Sequence, residues 1–291
     1  MKNFFFYLLL FSSLISTGQT QQNINKNTDT ASNAITTIDS IRFNSSSTTM
    51  EVVLQNGTVE SHSIADIINV NFISVNQSQH SCGANNVHNP AKTYGTMTDQ
   101  QGNVYKTIVI GAQEWMAENL KTTIYRNGNA IANITDNAQW DGLTTGAWAS
   151  YNNDSQNDCP YGKLYNWYAA ADPGHICPTG WHVPTDDEWT TLTDYLGGAA
   201  VAGGKMKTTG LQYWISPNTD ASNESDFSGL PGGYRSSSGD FYNVGNGGYW
   251  WSSSEYNASR AWYRFLTYNY VNAYKDRNDK GVGFSVRCLR D

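Results

Sequence analysis

Hydrophobic positions fall into three regimes along the chain. A greasy run over residues 4–15 opens it, a polar stretch follows, and from Ile38 onward short alternating segments are broken by Gly, Asn and Asp. Residues 50–55 and 58–64 flank Asn56-Gly57, the pattern of a type I′ hairpin. Ile38, Ile41 and Phe43 lead into that hairpin, and residues 66–72 echo residues 39–43, so two edge strands are expected to flank it. After a second polar stretch, alternation predicts short antiparallel strands over 94–99, 104–110 and 114–116. Four aromatic strands finish the chain: around Phe241, then over 249–253, 261–268 and 283–290. Trp262, Arg264 and Leu266 alternate along the third, and Phe284, Val286 and Cys288 along the fourth, as in strands with one face inside.

Helical spacing stands out once. Trp189, Leu192 and Leu196 share one face, with Tyr195 beside them. Pro184 keeps the helix from starting earlier, and Thr185 and Glu188 form a capping box. Asp186 and Asp187 place negative charge at the positive end of the helix dipole, and Gly197 supplies a left-handed exit. Residues 161–171 predict a first short helix, with Tyr165 and Tyr168 on its packing side. The segments 121–158, 203–224 and 268–280 predict loops. The expected fold class is α+β, two short helices on small antiparallel sheets, preceded by a small β unit. The boundaries are a signal peptide at 1–20, a linker at 21–37, the β unit at 38–75, a linker at 76–92 and the main domain at 93–291.

Composition adds a location. Lys2, the apolar run 4–15 and the small residues Ser16-Thr-Gly18 form a secretory signal, with cleavage expected near Gly18 or Thr20. The run is short for a membrane span, and Gln19 and Gln21 stand where a lipoprotein needs cysteine, so no lipid anchor and no membrane insertion after cleavage are expected. The protein is expected to be secreted or held at the cell surface. A net charge of -7 argues against a nucleic-acid partner.

The four cysteines of an exported chain suggest two disulfides, with three possible connectivities. Cys177 sits at the turn before the helix and Cys288 in the last strand, whereas Cys82 and Cys159 lie in polar loops. The expected pairs are Cys177 with Cys288 and Cys82 with Cys159. Zinc at Cys177, His175 and His182 lacks the paired spacings such sites use, and His182, flanked by Trp181 and Val183, reads as a packed residue. Calcium at Asp154 to Asp158 is possible on its alternating oxygen side chains, but the run lacks the turn glycine and closing carboxylate, so no cofactor is expected.

The common nucleophile, phosphate and dinucleotide motifs do not occur. Asp186, Asp187, Glu188, Glu224, Asp226 and Glu255 could assemble as paired carboxylates, but their spacing equally suits a helix cap and surface loops. Tyr and Trp residues between 241 and 270 could stack on sugar rings, and strand pairing is their plainer role.

An ordered series of motifs carries a family resemblance. It includes Ile110-Gly-Ala-Gln-Glu-Trp-Met-Ala-Glu-Asn-Leu120, Tyr161-Gly-Lys-Leu-Tyr-Asn-Trp167, Cys177-Pro-Thr-Gly-Trp-His-Val-Pro184, Leu230-Pro-Gly-Gly-Tyr-Arg235 and Phe284-Ser-Val-Arg-Cys288. Over about two thirds of its length the chain resembles the Fibrobacter succinogenes major paralogous domain, a family of exported bacterial proteins found mainly in Fibrobacter and Bacteroidetes. That domain is similar to the C-type-lectin-like fold, including its sulfatase-modifying branch, so the resemblance implies a C-type-lectin-like domain. It transfers no site: the reactive cysteine pair of that branch and the calcium motifs of sugar-binding lectins are missing here. The resulting expectation is a secreted, non-catalytic binding or surface-display module with a glycan or protein ligand. An exported polysaccharide-acting enzyme and a structural part of a surface assembly are the alternatives.

Overall fold

The computed structural model describes residues 87–291 and, before them, the backbone of six strands between residues 20 and 74. The chain divides into two compact units, Met1–Gln77 and Ser78–Asp291. The expected signal peptide at 1–20 lies, except for Thr20, outside the described residues.

In the first unit the strands are β1 (Thr20–Lys26), β2 (Thr30–Ala34), β3 (Ile38–Phe43), β4 (Thr49–Leu54), β5 (Val59–Ser63) and β6 (Ile67–Ser74). β4 and β5 pair antiparallel as the hairpin reading predicts, but one residue out of the register a two-residue Asn56-Gly57 turn would set, with Val53 opposite Val59 instead of Glu60; β3 adds to β4. Two expectations are corrected. The segment 21–37, read as a linker for want of apolar residues, contributes β1 and β2. β6 does not flank the hairpin but pairs with β1, in the order β2-β1-β6. Backbone hydrogen bonds satisfy a polar strand as well as an apolar one, so composition alone underreads such segments.

The second unit begins at or before Val87, earlier than the predicted boundary at 93, since Val87 and His88 are buried. Its opening meander is β7 (Gly95–Thr98), β8 (Val104–Ile110) and β9 (Gln113–Met116). A small sheet follows: β10 (Ala132–Asn133), β11 (Ala147–Ala149) and β12 (Leu164–Tyr165), with the short helices α1 (Asn137–Trp140), α2 (Asp158–Tyr161) and α3 (Trp167–Ala170) around it. The expected helix over 161–171 is thus reduced to α3, which Asn166 caps through the Ala169 amide; Leu164 and Tyr165 are drawn into strand pairing instead.

β13 (Trp181–His182) leads to α4 (Asp186–Tyr195), which has the predicted capping box and carries Trp189 and Leu192 buried on one face. α5 (Ala199–Met206) occupies part of a segment read as irregular. Its two glycines explain both the misreading and the helix. A Cβ on Gly203 would stand 2.2 Å from the Asn272 carbonyl oxygen, and one on Gly204 2.6 Å from that of Asp220, so only glycine lets the two loops lie against it.

The chain ends in β14 (Gly232–Arg235), β15 (Phe241–Val244), β16 (Gly247–Glu255), β17 (Arg260–Thr267), β18 (Tyr274–Asp279) and β19 (Leu289–Arg290). Five of them form one sheet in the order β15-β14-β16-β17-β18, and β19 joins the meander in the order β13-β19-β9-β8-β7. The predicted loop 268–280 therefore stays irregular up to Ala273 and then forms β18. The predicted strand 283–290 is regular only at its end, because its first half bridges singly to Arg235, Tyr165 and Trp250 on different elements. The fold is α+β, mostly strands with a few short helices.

Two aromatic cores lie on the two faces of the five-stranded sheet. One packs Trp115, Trp189, Trp214, Phe227 and Trp250; the other packs Tyr105, Tyr165, Trp251, Tyr263 and Phe284 around the disulfide. Cys177 and Cys288 are bonded, fastening the turn before α4 to the last strand. Arg126 holds the same turn by donating to the carbonyls of Cys177, Pro178 and Trp181 at 2.7–3.0 Å. Cys159 is also disulfide-bonded, while Cys82 lies outside the described residues.

Candidate binding surface

The carboxylates singled out from the sequence are dispersed among separate cations. Asp186 is buried and accepts from Arg264 at 2.6 Å and Lys275 at 2.5 Å. Glu224 meets Lys205, Asp226 meets Lys92 and the Tyr94 hydroxyl, and Glu255 meets Lys280, while Asp187 stands exposed. Glu188 closes the capping box and contacts His182 at 3.0 Å; the other His182 nitrogen lies 2.7 Å from Asp291. Burial lowers the His182 pKa, but bonding to Asp291 and Glu188 outweighs it, so the net shift is upward. His182 is thus a clasp between the α4 start and the end of β19, and not only a packed ring.

Asp154 caps the turn before α2 and Asp158 pairs with Lys163 at 2.6 Å, so the suggested calcium run is engaged in local structure. Among the described residues no group of three or more His, Cys, Asp or Glu is placed to hold a metal ion. An open cleft of about 430 Å³ is lined by Gln101, Asn103, Lys121, Asp158, Cys159 and Lys163. Two of the predicted loops are tied down. Lys207, fully buried, donates to the carbonyls of Thr219, Thr267 and Tyr270 at 2.8–3.0 Å, joining the 203–224 and 268–272 segments.

The feature that remains is a row of aromatic rings on the five-stranded sheet, one from each strand. Register places Tyr242 beside Tyr234, Tyr249 beside Phe265 and Phe265 beside Tyr274; the parallel pair Gly233–Gly248 brings Tyr234 next to Tyr249. The ring centroids follow at 5.7, 5.1, 5.8 and 4.8 Å. Tyr249, Phe265 and Tyr274 are nearly parallel, 14° apart in each pair. Tyr270 stands at 88° against the last ring and extends the row.

The row is the outer margin of the buried aromatic core. Phe284 stacks on Tyr249 and also touches Trp251 and Tyr263, all three buried, whereas Tyr234, Tyr249, Phe265 and Tyr274 are half-buried. The outermost rings, Tyr242 and Tyr270, are 46% and 52% exposed. Burial raises the Tyr234 and Tyr249 pKa, so both phenols stay protonated and able to donate near neutral pH. Polar groups border the row: Asn243 donates to the Tyr249 hydroxyl at 2.8 Å, and Asp276 and Asn278 lie beside Tyr263.

Tyr and Trp in this region were singled out from the sequence, but the membership of the row was not. Tyr234 and Tyr242 lie outside any alternation that would align them with Phe265, and the parallel Gly233–Gly248 pairing has no local signal.

The model of the Fibrobacter succinogenes major domain matches residues 108–290. No curated protein and no solved structure matches the chain.

Proposed function

The chain belongs to the Fibrobacter succinogenes major domain family, and from that premise we propose that it is an exported, non-catalytic recognition module on a C-type-lectin-like scaffold. The observation that carries the reading is the in-register aromatic row across all five strands of one sheet, backed at Tyr234 and Tyr249 by Phe284, half-buried along most of its length and exposed at Tyr242. Aromatic side chains anchored by packing contact a ligand at low entropic cost, and tyrosine adds a hydroxyl for orientation. Export is supported by the basic start, apolar run and small-residue exit over residues 1–20. The ligand class is a glycan or a protein at the cell surface. A screen of the purified chain against arrayed glycans and surface proteins tests the reading. Capture of a ligand that Tyr242→Ala and Tyr274→Ala both weaken is the expected result; ligands bound equally well by both variants would refute it.

A further inference from the structure

We infer that the aromatic row takes a neutral, linear polysaccharide laid across the strands, with successive sugar units meeting successive rings. The inference rests on the recognition reading above and narrows its ligand.

Pitch is the first argument. The rings repeat at 4.8–5.8 Å because each belongs to the next strand of the sheet. An extended peptide advances about 3.3 Å per residue, so its same-side groups repeat at about 6.6 Å and fall out of step within a few rings. A pyranose unit in an extended β-1,4-linked chain advances by a distance that falls within the 4.8–5.8 Å range of the ring spacings, so it stays in step.

Charge is the second. Four cations of these strands are directed elsewhere: Arg264 and Lys275 to Asp186, Arg277 to the Tyr256 ring, and Arg235 to the carbonyls of Ile134 and Thr135; the fifth, Arg260, alternates with Phe265 onto the other face of β17. The charged group beside the row is Asp276, and the whole chain carries -7. Such a face lacks the counter-charge that a phosphate, sulfate or uronate polymer requires. A neutral sugar needs none. Its C–H surface packs against the exposed part of each ring, while Tyr hydroxyls, Asn243, Asp276 and Asn278 serve its hydroxyls.

Isothermal titration of the full chain tests this, using linear β-1,4-linked oligomers of glucose, mannose and N-acetylglucosamine at two, four and six units, with hexagalacturonate as the anionic comparator. At least one neutral series is expected to bind, with affinity rising from two to six units and hexagalacturonate silent. Tyr242→Ala and Tyr274→Ala should each weaken the hexamer about two- to tenfold. Tyr256→Ala, on the opposite face, should bind as wild type, and unchanged thermal melts show that the variants fold. Absence of binding by every neutral hexamer, affinity independent of length, or preference for hexagalacturonate would overturn the glycan assignment. A protein ligand lost in the row variants, with no sugar bound, would overturn it too and leave the recognition reading standing. Ring variants that bind every ligand as wild type would remove both.

Discussion

The guanidinium of Arg287 donates to Asn119 Oδ1 at 2.8 Å, and both side chains are buried. Arg287 also donates to the carbonyls of Phe227 and Ser228 and lies 4.0 Å from the centroid of the Phe227 ring. Asn119 Oδ1 accepts from Trp250 as well, so this pair ties the end of the chain to β16 and to the segment after β9. Burial pushes the Arg287 pKa down to about 9, against the pull of Glu118.

Arg287→Met should therefore be costly. It strips donors from several buried acceptors at once, and each orphaned group costs about 1–3 kcal/mol. A loss of about 3–5 kcal/mol in urea unfolding is expected. A loss under about 1 kcal/mol would mean that the acceptors find other partners.

The Cys177–Cys288 bond closes a loop with a sequence separation of 111. On the chain-entropy account its removal costs about 4–5 kcal/mol. Comparing urea midpoints of wild type and the Cys177→Ser/Cys288→Ser double variant checks this. Equal midpoints would show that Arg126 and the β13–β19 pairing suffice to hold the turn.

The clasp at His182 gives a pH signature. Its pKa is raised in the folded state, so its contribution is complete below the unfolded value of about 6.5 and fades as pH rises through the folded value. For Glu188, burial raises the pKa, but bonds from Thr185 and His182 outweigh it and the net shift is downward. Its contribution is present above about pH 4.3 and is lost as pH falls through the lowered value. The melting-temperature gap between wild type and His182→Gln should be widest between about pH 4.5 and 6.5 and shrink above that window. All three groups are partly exposed, so the gap corresponds to about 1 kcal/mol or less.

Lys207 acts as an internal cation for loop carbonyls, and burial pushes its pKa down to about 8 despite Asp220 nearby. Lys207→Met keeps most of the volume and removes the donors. Amide hydrogen exchange should accelerate at Thr219 and across residues 268–272, with little change in the β7–β8–β9 meander. Uniform acceleration over the whole unit would indicate a global loss of stability instead.

How much of this was legible in the sequence depends on the range of the interaction. Thr185, Glu188 and the spacing of Trp189 and Leu192 specify α4 locally, and the structure has it where expected. Asn56-Gly57 likewise marks the β4–β5 hairpin, though not its register, and the positions of Cys177 and Cys288 identified their bond. Gly203 and Gly204 misled because their purpose lies in loops some 16 to 69 residues away, at Asp220 and Asn272. The aromatic row was out of reach for the same reason. Tyr234 and Tyr249 become neighbours only through the Gly233–Gly248 pairing, and Tyr234 and Tyr242 only across the turn between β14 and β15. The motifs from Ile110 to Cys288 were enough for the family.

The most direct test of the central claim is aromatic ¹³C NMR of the full chain during titration with the glycan or protein selected by the screen. Recognition through the row predicts shifts centred on Tyr234, Tyr242, Tyr249, Phe265 and Tyr274, with the buried Trp115 and Trp189 unmoved. Shifts centred instead on Trp148, whose ring lies 3.9 Å from Lys163 of the polar cleft, with the five rings unchanged, would contradict it.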